Sequence, residues 1–246
     1  MLVIFSGGSG VGKNTVISEL LKKQEYILMP TCTTRQKRQG ESQGNPYVFL
    51  TTEQFEKKIS DGEFYEYENV HGNYYGTNRK ILNEALLTGK TLLKDIDVKG
   101  THNLVNMIGN DVKLLTLFLK VDSVEVLKQR LITRGETEIE KRLSRYEFEQ
   151  TFQNEYDYVI NNYSLETTVC LVEKLIEITK KGEEIVCDNQ NLDNNLVGEC
   201  YNKLMSGELL SPIKVRIKDN KVVVVEGKEK FIASKKANKN IAKEIV

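Results

Sequence analysis

Nine residues near the start of the chain, Gly7-Gly8-Ser9-Gly10-Val11-Gly12-Lys13-Asn14-Thr15, concentrate the means to hold a polyphosphate. The Gly-x4-Gly-Lys spacing leaves backbone N–H groups bare to wrap phosphate oxygens, and Lys13 sets a cation among them. The apolar run Leu2-Val3-Ile4-Phe5 precedes this loop and a helical pattern follows it. Strand, loop and helix therefore come in the order the chemistry needs, with the positive end of the helix dipole aimed at the anion. Asn14 stands where a Ser or Thr hydroxyl usually meets Mg²⁺. Its amide oxygen is an acceptable ligand for a hard cation, so metal binding is expected to be weakened, not lost.

A second set of anion-binding groups lies further on. Thr33-Thr34-Arg35-Gln36-Lys37-Arg38 places two guanidinium groups close together on a loop after a strand. Guanidinium is suited to bidentate contact with phosphate oxygens, and two of them imply a dianion. Tyr47 and Tyr75 could add phenolic donors to the same phosphate. Any one of these residues alone would read as a solvated surface group; the set is harder to dismiss. Lys94 interrupts an apolar strand, and the sequence offers no functional account of it.

The elements that must position these residues alternate. Short apolar strands and helical stretches follow one another to about residue 181, which predicts an α/β domain with a mostly parallel core sheet. Leu2 to Ser6 reads as the first strand, Asn14 to Lys23 as an amphipathic helix, and Tyr26 to Thr34 as extended chain. Tyr47 to Tyr75 is rich in Tyr, Phe and Glu and reads as an inserted subdomain of strands, with a short helix capped by Thr51 and Gln54. Thr91 to Asp97 and Leu114 to Val121 resume the central sheet. Asp122 is expected to cap the helix Val124 to Ile132, Tyr158 to Asn162 is a last strand and Glu166 to Lys181 a last helix. The apolar stripe of that helix is Val169, Val172, Leu175 and Ile176. A charged linker (Lys180 to Glu184) and an Asn/Asp-rich stretch (Asp188 to Asn195) then lead to a further unit. It comprises a helix near Val197 to Met205, a hairpin of Ile213 to Ile217 and Val222 to Val225 turning at Asp219-Asn220, and a helix from Phe231 to Lys239.

Bulk composition sets bounds. The 246 residues are 39% hydrophobic and 28% charged, enough to bury a sizeable core in one domain or one domain with an appendage. Lys+Arg and Asp+Glu are 35 each, so no global field points to nucleic acid or a membrane surface. The four cysteines (Cys32, Cys170, Cys187, Cys200) show no C-x-x-C spacing and read as reduced thiols. No apolar run approaches a membrane span, and the first strand is too short for a signal peptide, so a cytoplasmic protein is expected.

Thr33-Thr34-Arg35-x-x-Arg38, Glu63-Phe64-x-Glu66, Gly72-Asn73-Tyr74-Tyr75-Gly76-Thr77, Asp95-Ile96-Asp97 and Arg134-Gly135 together resemble guanylate kinase. The resemblance covers residues 1 to about 181. It implies a nucleoside monophosphate kinase core with a P-loop and a parallel sheet, a GMP-binding subdomain at about 34–80 and an arginine-bearing lid at about 130–145. The activity implied is transfer of the γ-phosphate of ATP to GMP or dGMP with Mg²⁺. By the same resemblance ATP lies on Gly7, Gly8, Ser9, Gly10, Val11, Gly12, Lys13, Asn14 and Thr15, with Asn161 and Asn162 after the last strand near the adenine, although an Asn there is equally a turn residue. Arg35, Arg38, Tyr47 and Tyr75 match the residues that hold the GMP phosphate, and Thr31, Glu66, Thr77 and Asp97 those that read guanine. Guanine presents N1–H and an amino group, both donors, to carboxylates that only accept; the unprotonated N1 of adenine would leave such lone pairs unpaired. Lys13, Arg130, Arg134 and Arg142 match the groups that stabilise the transferring phosphoryl. Arg145 is a weaker candidate, since it could simply belong to a charged helix face. Asn14 and Asp95 would touch the metal, Asp95 through water. A binding module of this family without strong catalysis is the alternative, but a pure binding module has no need of both phosphate sites.

Residues 183–246 lie outside that resemblance and are expected to form a small α+β accessory domain. Ser211 to Val215 and Val225 to Ala233 are similar in part to ParB-like domains. From Pro212 to Val246 ten Lys/Arg stand against four Asp/Glu. Nucleic acid could use that excess, but without stacking aromatics a solvated basic face is the simpler account. Oligomeric state is not readable from the sequence.

Overall fold

Leu2–Ser6 forms strand β1, buried at every position. A parallel strand covered on both faces is expected to be apolar throughout. The computed structural model describes residues 1–38, 40–70, 72–109, 112–182, 185–188 and 191–246. Glu183 and Glu184 of the expected linker, and Asn189 and Gln190 of the Asn/Asp-rich stretch, lie outside the described residues. The chain divides into two compact units: Met1–Phe5 with Ile17–Leu114, and Ser6–Val16 with Leu115–Val246. The expected boundary near residue 182 falls inside the second.

In the first unit, helix α1 (Lys13–Leu20) ends and β2 (Tyr26–Leu28) follows. The helix stops before the expected Lys23 because the next N–H groups bond three residues back, Lys22 to Glu19 and Lys23 to Leu20. Strand β8 (Thr91–Asp95) runs parallel to β1 on one side, with Ile4 opposite Lys94, and to β2 on the other. Leu2, Ile4, Met29, Leu82, Leu92 and Leu104 pack as its core. The extended run expected from Tyr26 to Thr34 divides between sheets: β2 belongs here, while β3 (Thr31–Thr33) enters a second sheet.

That second sheet contains β4 (Ser42–Gln43), β5 (Pro46–Phe49), β6 (Phe64–Val70) and β7 (Asn73–Asn78) as well, in the order β4-β5-β3-β7-β6. Helix α2 (Thr52–Ser60) covers one face. Its expected capping box is present: Thr51 accepts from the Gln54 N–H, and the Gln54 side chain accepts from the Thr51 N–H. Phe55 of α2 stacks on Phe64 and Tyr74, with ring centroids 4.4 and 5.1 Å away, against buried Cys32. Helices α3 (Arg79–Leu86) and α4 (Val98–Ile108) complete this unit, capped by Asn78 and Asp97.

In the second unit, β9 (Leu114–Lys120) is followed by α5 (Val124–Thr133), α6 (Ile139–Gln150), β10 (Tyr158–Asn161) and α7 (Leu165–Lys181). The N-cap of α5 is Ser123, not Asp122, because the Ser123 hydroxyl is the oxygen that meets the Val126 N–H. Asp122 instead accepts from Asn161. Val172, Leu175 and Ile176 of α7 are buried as expected; Val169 is half-buried and Thr168 is buried beside it.

The remaining elements are β11 (Ile185–Val186), α8 (Asn194–Met205), β12 (Ile213–Lys218), β13 (Lys221–Glu226), α9 (Lys228–Ala237) and β14 (Lys243–Ile245). Asp219 and Asn220 both have positive φ, 49° and 61°, the turn geometry that suits a twisted hairpin. Helix α9 begins three residues before the expected Phe231, following Gly227 at φ 85°. Strand β14 lies between β10 and β12, parallel to both, so the last residues extend the sheet of this unit in the order β11-β13-β12-β14-β10-β9. Among the described residues no helix is long and apolar enough to cross a membrane.

Candidate active site

The phosphate loop is tied into the second unit by contacts that only glycine permits. At Gly7, with φ 122°, a side-chain carbon would stand 2.1 Å from the Leu119 carbonyl oxygen; at Gly12, with φ 101°, one would stand 2.4 Å from Asn162 Nδ2. Both positions are therefore closed to any larger residue. Lys13 Nζ donates to the carbonyls of Gly7 at 2.5 Å and Gly8 at 3.1 Å, so the ammonium lies over the loop's own backbone. Asn14 and Thr15, at the start of α1, are exposed.

Two side chains hold the loop at Val11. Asn162 Nδ2 donates to the Val11 carbonyl at 2.7 Å, and Thr168 donates to Asn162 Oδ1 at 2.7 Å, so this buried amide has a partner at each end. Arg130 donates to the Val11 carbonyl at 3.3 Å and to the Asn162 carbonyl at 3.0 Å. Arg142 reaches the loop from α6, donating to Ser9 Oγ at 3.0 Å while pairing with Glu136 at 2.7 Å. Thus Arg130 and Arg142 both meet the loop. Arg134 is exposed at the end of α5. Arg145 pairs with Glu149 on its own helix at 2.8 Å, which is the helix-face reading. Asn161 spends its amide on Asp122 at 2.6 Å and on the Tyr163 hydroxyl at 3.0 Å, while its neighbour Asn162 grips the loop.

The expected acceptor residues gather in the first unit, on the face of the second sheet opposite α2. Thr31 pairs with Tyr47, Thr33 with Tyr75, and Glu66 with Thr77. Directly opposed residues share a face, so these side chains form one row across β5, β3, β7 and β6. Glu66 reaches that row through a bulge. Phe64 pairs with Asn78 but Glu66 with Thr77, leaving Tyr65 as the extra residue. Phe64 therefore faces the core and Glu66 the site, although strand alternation alone would put both on one side. Arg79 pins the bulge, donating to the Phe64 carbonyl at 2.9 Å and lying 4.4 Å from the Tyr65 ring.

At the phosphate end of the row, the Arg35 guanidinium lies 5.0 Å from the Tyr47 ring, and Tyr47 and Tyr75 meet edge to face at 6.2 Å. Glu41 accepts from Arg35 Nη2 at 2.8 and 3.0 Å and from the Arg38 backbone N–H at 2.8 Å. The hydrogen bond from Arg35 holds the Glu41 carboxyl below the usual range, and the same bond raises the guanidinium further. The Arg38 side chain is exposed. Burial pushes the Tyr47 phenol up, so it stays a donor at neutral pH.

At the other end, Thr77 donates to the buried Glu66 carboxylate. Lys94, with no exposed surface, donates from Nζ to Thr31 Oγ1 at 2.9 Å. Burial pushes Glu66 up and Lys94 down, and the opposite charge of each resists the shift of the other. Asp97 lies within electrostatic reach of Glu66, and its Oδ1 accepts from the Gly100 N–H at 2.8 Å as the cap of α4. Asp95 is half-buried at the end of β8.

Sequence reasoning missed Glu41 and Lys94, and it named Asn162 only beside Asn161 as a neighbour of the adenine, not as a support of the loop. For Glu41 a signal existed, a carboxylate three residues after Arg38 in a basic loop. For Lys94 the signal was a charge inside an apolar strand. Nothing local marked Asn162 over Asn161.

The guanylate kinase family model matches residues 1–179. Guanylate kinase of Chlorobium chlorochromatii is 39% identical over 179 residues, covering 71% of this chain and 93% of that protein. Guanylate kinase of Clostridium acetobutylicum is 36% identical over 194 residues, covering 77% and 90%. The crystal structure of guanylate kinase from Anaplasma phagocytophilum matches with a TM-score of 0.60 at 30% identity, covering 74% of this chain and 86% of that one. A phosphate loop gripped by two arginines, a row of acceptor residues on one sheet face and a family match over 1–179 lead to one assignment: this chain belongs to the guanylate kinase family.

Proposed function

We propose that residues 1–182 transfer the γ-phosphate of ATP to GMP or dGMP, giving ADP and GDP or dGDP, and that residues 183–246 are an addition carrying none of the reacting groups. The observation that carries the acceptor assignment is the row on the second sheet: a cation and two phenols at one end, a buried acceptor carboxylate beside the Thr77 hydroxyl at the other. A purine nucleoside monophosphate with donors on its base edge is the ligand whose two ends match that polarity.

Phosphoryl transfer asks the protein for alignment and charge stabilisation more than for covalent chemistry. Arg35 and Arg38 take the acceptor phosphate, Tyr47 and Tyr75 donate to it, and Glu41 keeps Arg35 from wandering. Thr31, Glu66, Thr77 and Asp97 hold the base. Gly7 to Thr15 wrap the donor phosphates, and Lys13 exchanges its loop carbonyls for their oxygens. Arg130 and Arg142, already at the loop, stabilise charge as it develops on the transferring group; Arg134 joins from the end of α5. Asn161 supports the loop's surroundings, with any adenine contact made by its backbone.

The donor set suits Mg²⁺, which keeps most of its waters and phosphate oxygens and asks for only one or two protein ligands. Asn14, exposed at the start of α1, would offer its amide oxygen to the ion. When bound, the ion offsets charge on the donor's β- and γ-phosphates.

A coupled assay with ATP and Mg²⁺ tests the reading, offering GMP, dGMP and AMP in turn. Turnover with GMP or dGMP and little with AMP is expected. Folded protein without turnover on any acceptor would leave a nucleotide-binding module instead.

A further inference from the structure

Lys94 is the anomaly of the first unit. Strand β8 is otherwise Thr91, Leu92, Leu93 and Asp95, and the lysine within it is wholly buried. Taking an ammonium out of water is costly, and an apolar residue would fill this place without that cost. The ammonium donates to Thr31 Oγ1 at 2.9 Å. Glu66 on β6, Cys32 on β3 and Asp95 on its own strand lie within electrostatic reach of it. Around Glu66 stand Thr77, Asp97, Glu68 and Lys94, so Lys94 is the cation among several anions. Cys32 also feels Lys58 and Glu63, and burial pushes its thiol up to about 11, leaving it neutral.

We propose that Lys94 is a positioning residue of the base pocket, fixing the Thr31 hydroxyl as a hydrogen-bond donor and the Glu66 carboxylate as an acceptor. The proposal rests on the assignment of Thr31 and Glu66 to the purine. A hydroxyl can donate or accept, and a carboxyl that gains a proton turns from acceptor to donor. The Lys94 hydrogen occupies the accepting side of Thr31, which turns the hydroxyl's own hydrogen outward. Its charge opposes protonation of a carboxylate buried beside Asp97 and Glu68. A pocket with that polarity suits a 6-oxo purine with N1–H and a 2-amino group. A 6-amino purine would bring a donor to the Thr31 hydrogen and a lone pair to the Glu66 oxygens. Lys94 touches no substrate in this scheme; it sets the sign of the groups that do.

Lys94→Met and Lys94→Gln in the full chain test this, with GMP and AMP as acceptors and thermal unfolding as the check on folding. For Lys94→Met the KM for GMP rises about tenfold or more, as for loss of a charge-assisted interaction, while the KM for ATP is unchanged. Preference for GMP over AMP in kcat/KM falls by a similar factor. The KM for GMP worsens further as pH is lowered, because Glu66 without its cation takes up a proton more readily, and the dependence is steeper than in the wild type. Lys94→Gln keeps a donor for Thr31 but not the charge, so it recovers part of the AMP rejection and retains the pH dependence. If the Met variant does not fold, the pH profile of the Gln variant decides. Wild-type turnover of GMP with both variants unchanged, or a KM rise that ignores pH, overturns the role of Lys94 alone. Wild type that neither binds nor phosphorylates GMP overturns the pocket assignment and this proposal with it.

Discussion

Glu41 shows how a single carboxylate can prepare a cationic site. It fixes one Arg35 nitrogen through both of its oxygens and also accepts the Arg38 backbone N–H. Glu41→Ala is expected to raise the KM for GMP about tenfold, with a smaller effect on kcat, because positioning of Arg35 must then be supplied at each binding event. Its pH dependence follows from sign. Since hydrogen bonding to Arg35 lowers the Glu41 carboxyl, the link is present above the ordinary carboxylate range and is lost only as pH falls through the depressed folded value. The KM for GMP measured from neutral pH down to about 5 should therefore carry no step from Glu41. At the donor loop, Asn14→Ser should lower the Mg²⁺ concentration for half-maximal turnover and raise kcat, a hydroxyl being the usual ligand at that position. A magnesium titration that is identical for the two proteins would remove Asn14 from the metal site.

At the scale of elements, the sequence made the phosphate loop legible and left its supports hidden. Strand, glycines, lysine and helix are contiguous, so periodicity and spacing suffice. Asn162 comes to the loop from the far end of β10, and only folding brings it to Val11. Asn162→Ala leaves the Val11 carbonyl and the Thr168 hydroxyl without that partner, at a cost of about 1–3 kcal/mol. The expected result is a higher KM for ATP with the KM for GMP unchanged, read in the same coupled assay. The second sheet offers the same lesson. The motif containing Glu66 is visible in the sequence, but alternation places Phe64 and Glu66 on one face. The bulge at Tyr65 separates them, and a bulge has no reliable sequence signature. The capping box of α2 and the turn at Asp219-Asn220, by contrast, were readable because each is settled within four residues.

At the scale of the whole chain, the last residues return to a strand laid down long before them. Strand β14 lies between β10 and the hairpin of β12 and β13, Lys120 pairs with Glu244 at 2.5 Å, and Lys243 Nζ lies 4.6 Å from the Tyr158 ring. Ile241, Ala242 and Lys243 are buried. Removing residues 241–246 should lower Tm by about 10 °C, from lost burial and strand pairing, and release residues 183–240 to proteolysis. Differential scanning calorimetry and limited trypsin digestion would read both effects. An unchanged Tm would mean that β14 contributes little to holding the C-terminal strands on the sheet.

What the sequence determined by itself was the chemistry that is local: a loop for polyphosphate, a pair of arginines, and the alternation of strands and helices. These depend on neighbours within a few residues, where spacing dictates geometry. What only the tertiary structure decided was the company those groups keep. A buried Lys94 against Thr31, Glu41 on Arg35, Asn162 on Val11 and a C-terminal strand on β10 join residues whose proximity depends on sheet order and register. Strand pairing and burial set those meetings, and a linear pattern of residue types carries no record of which strand lies beside which.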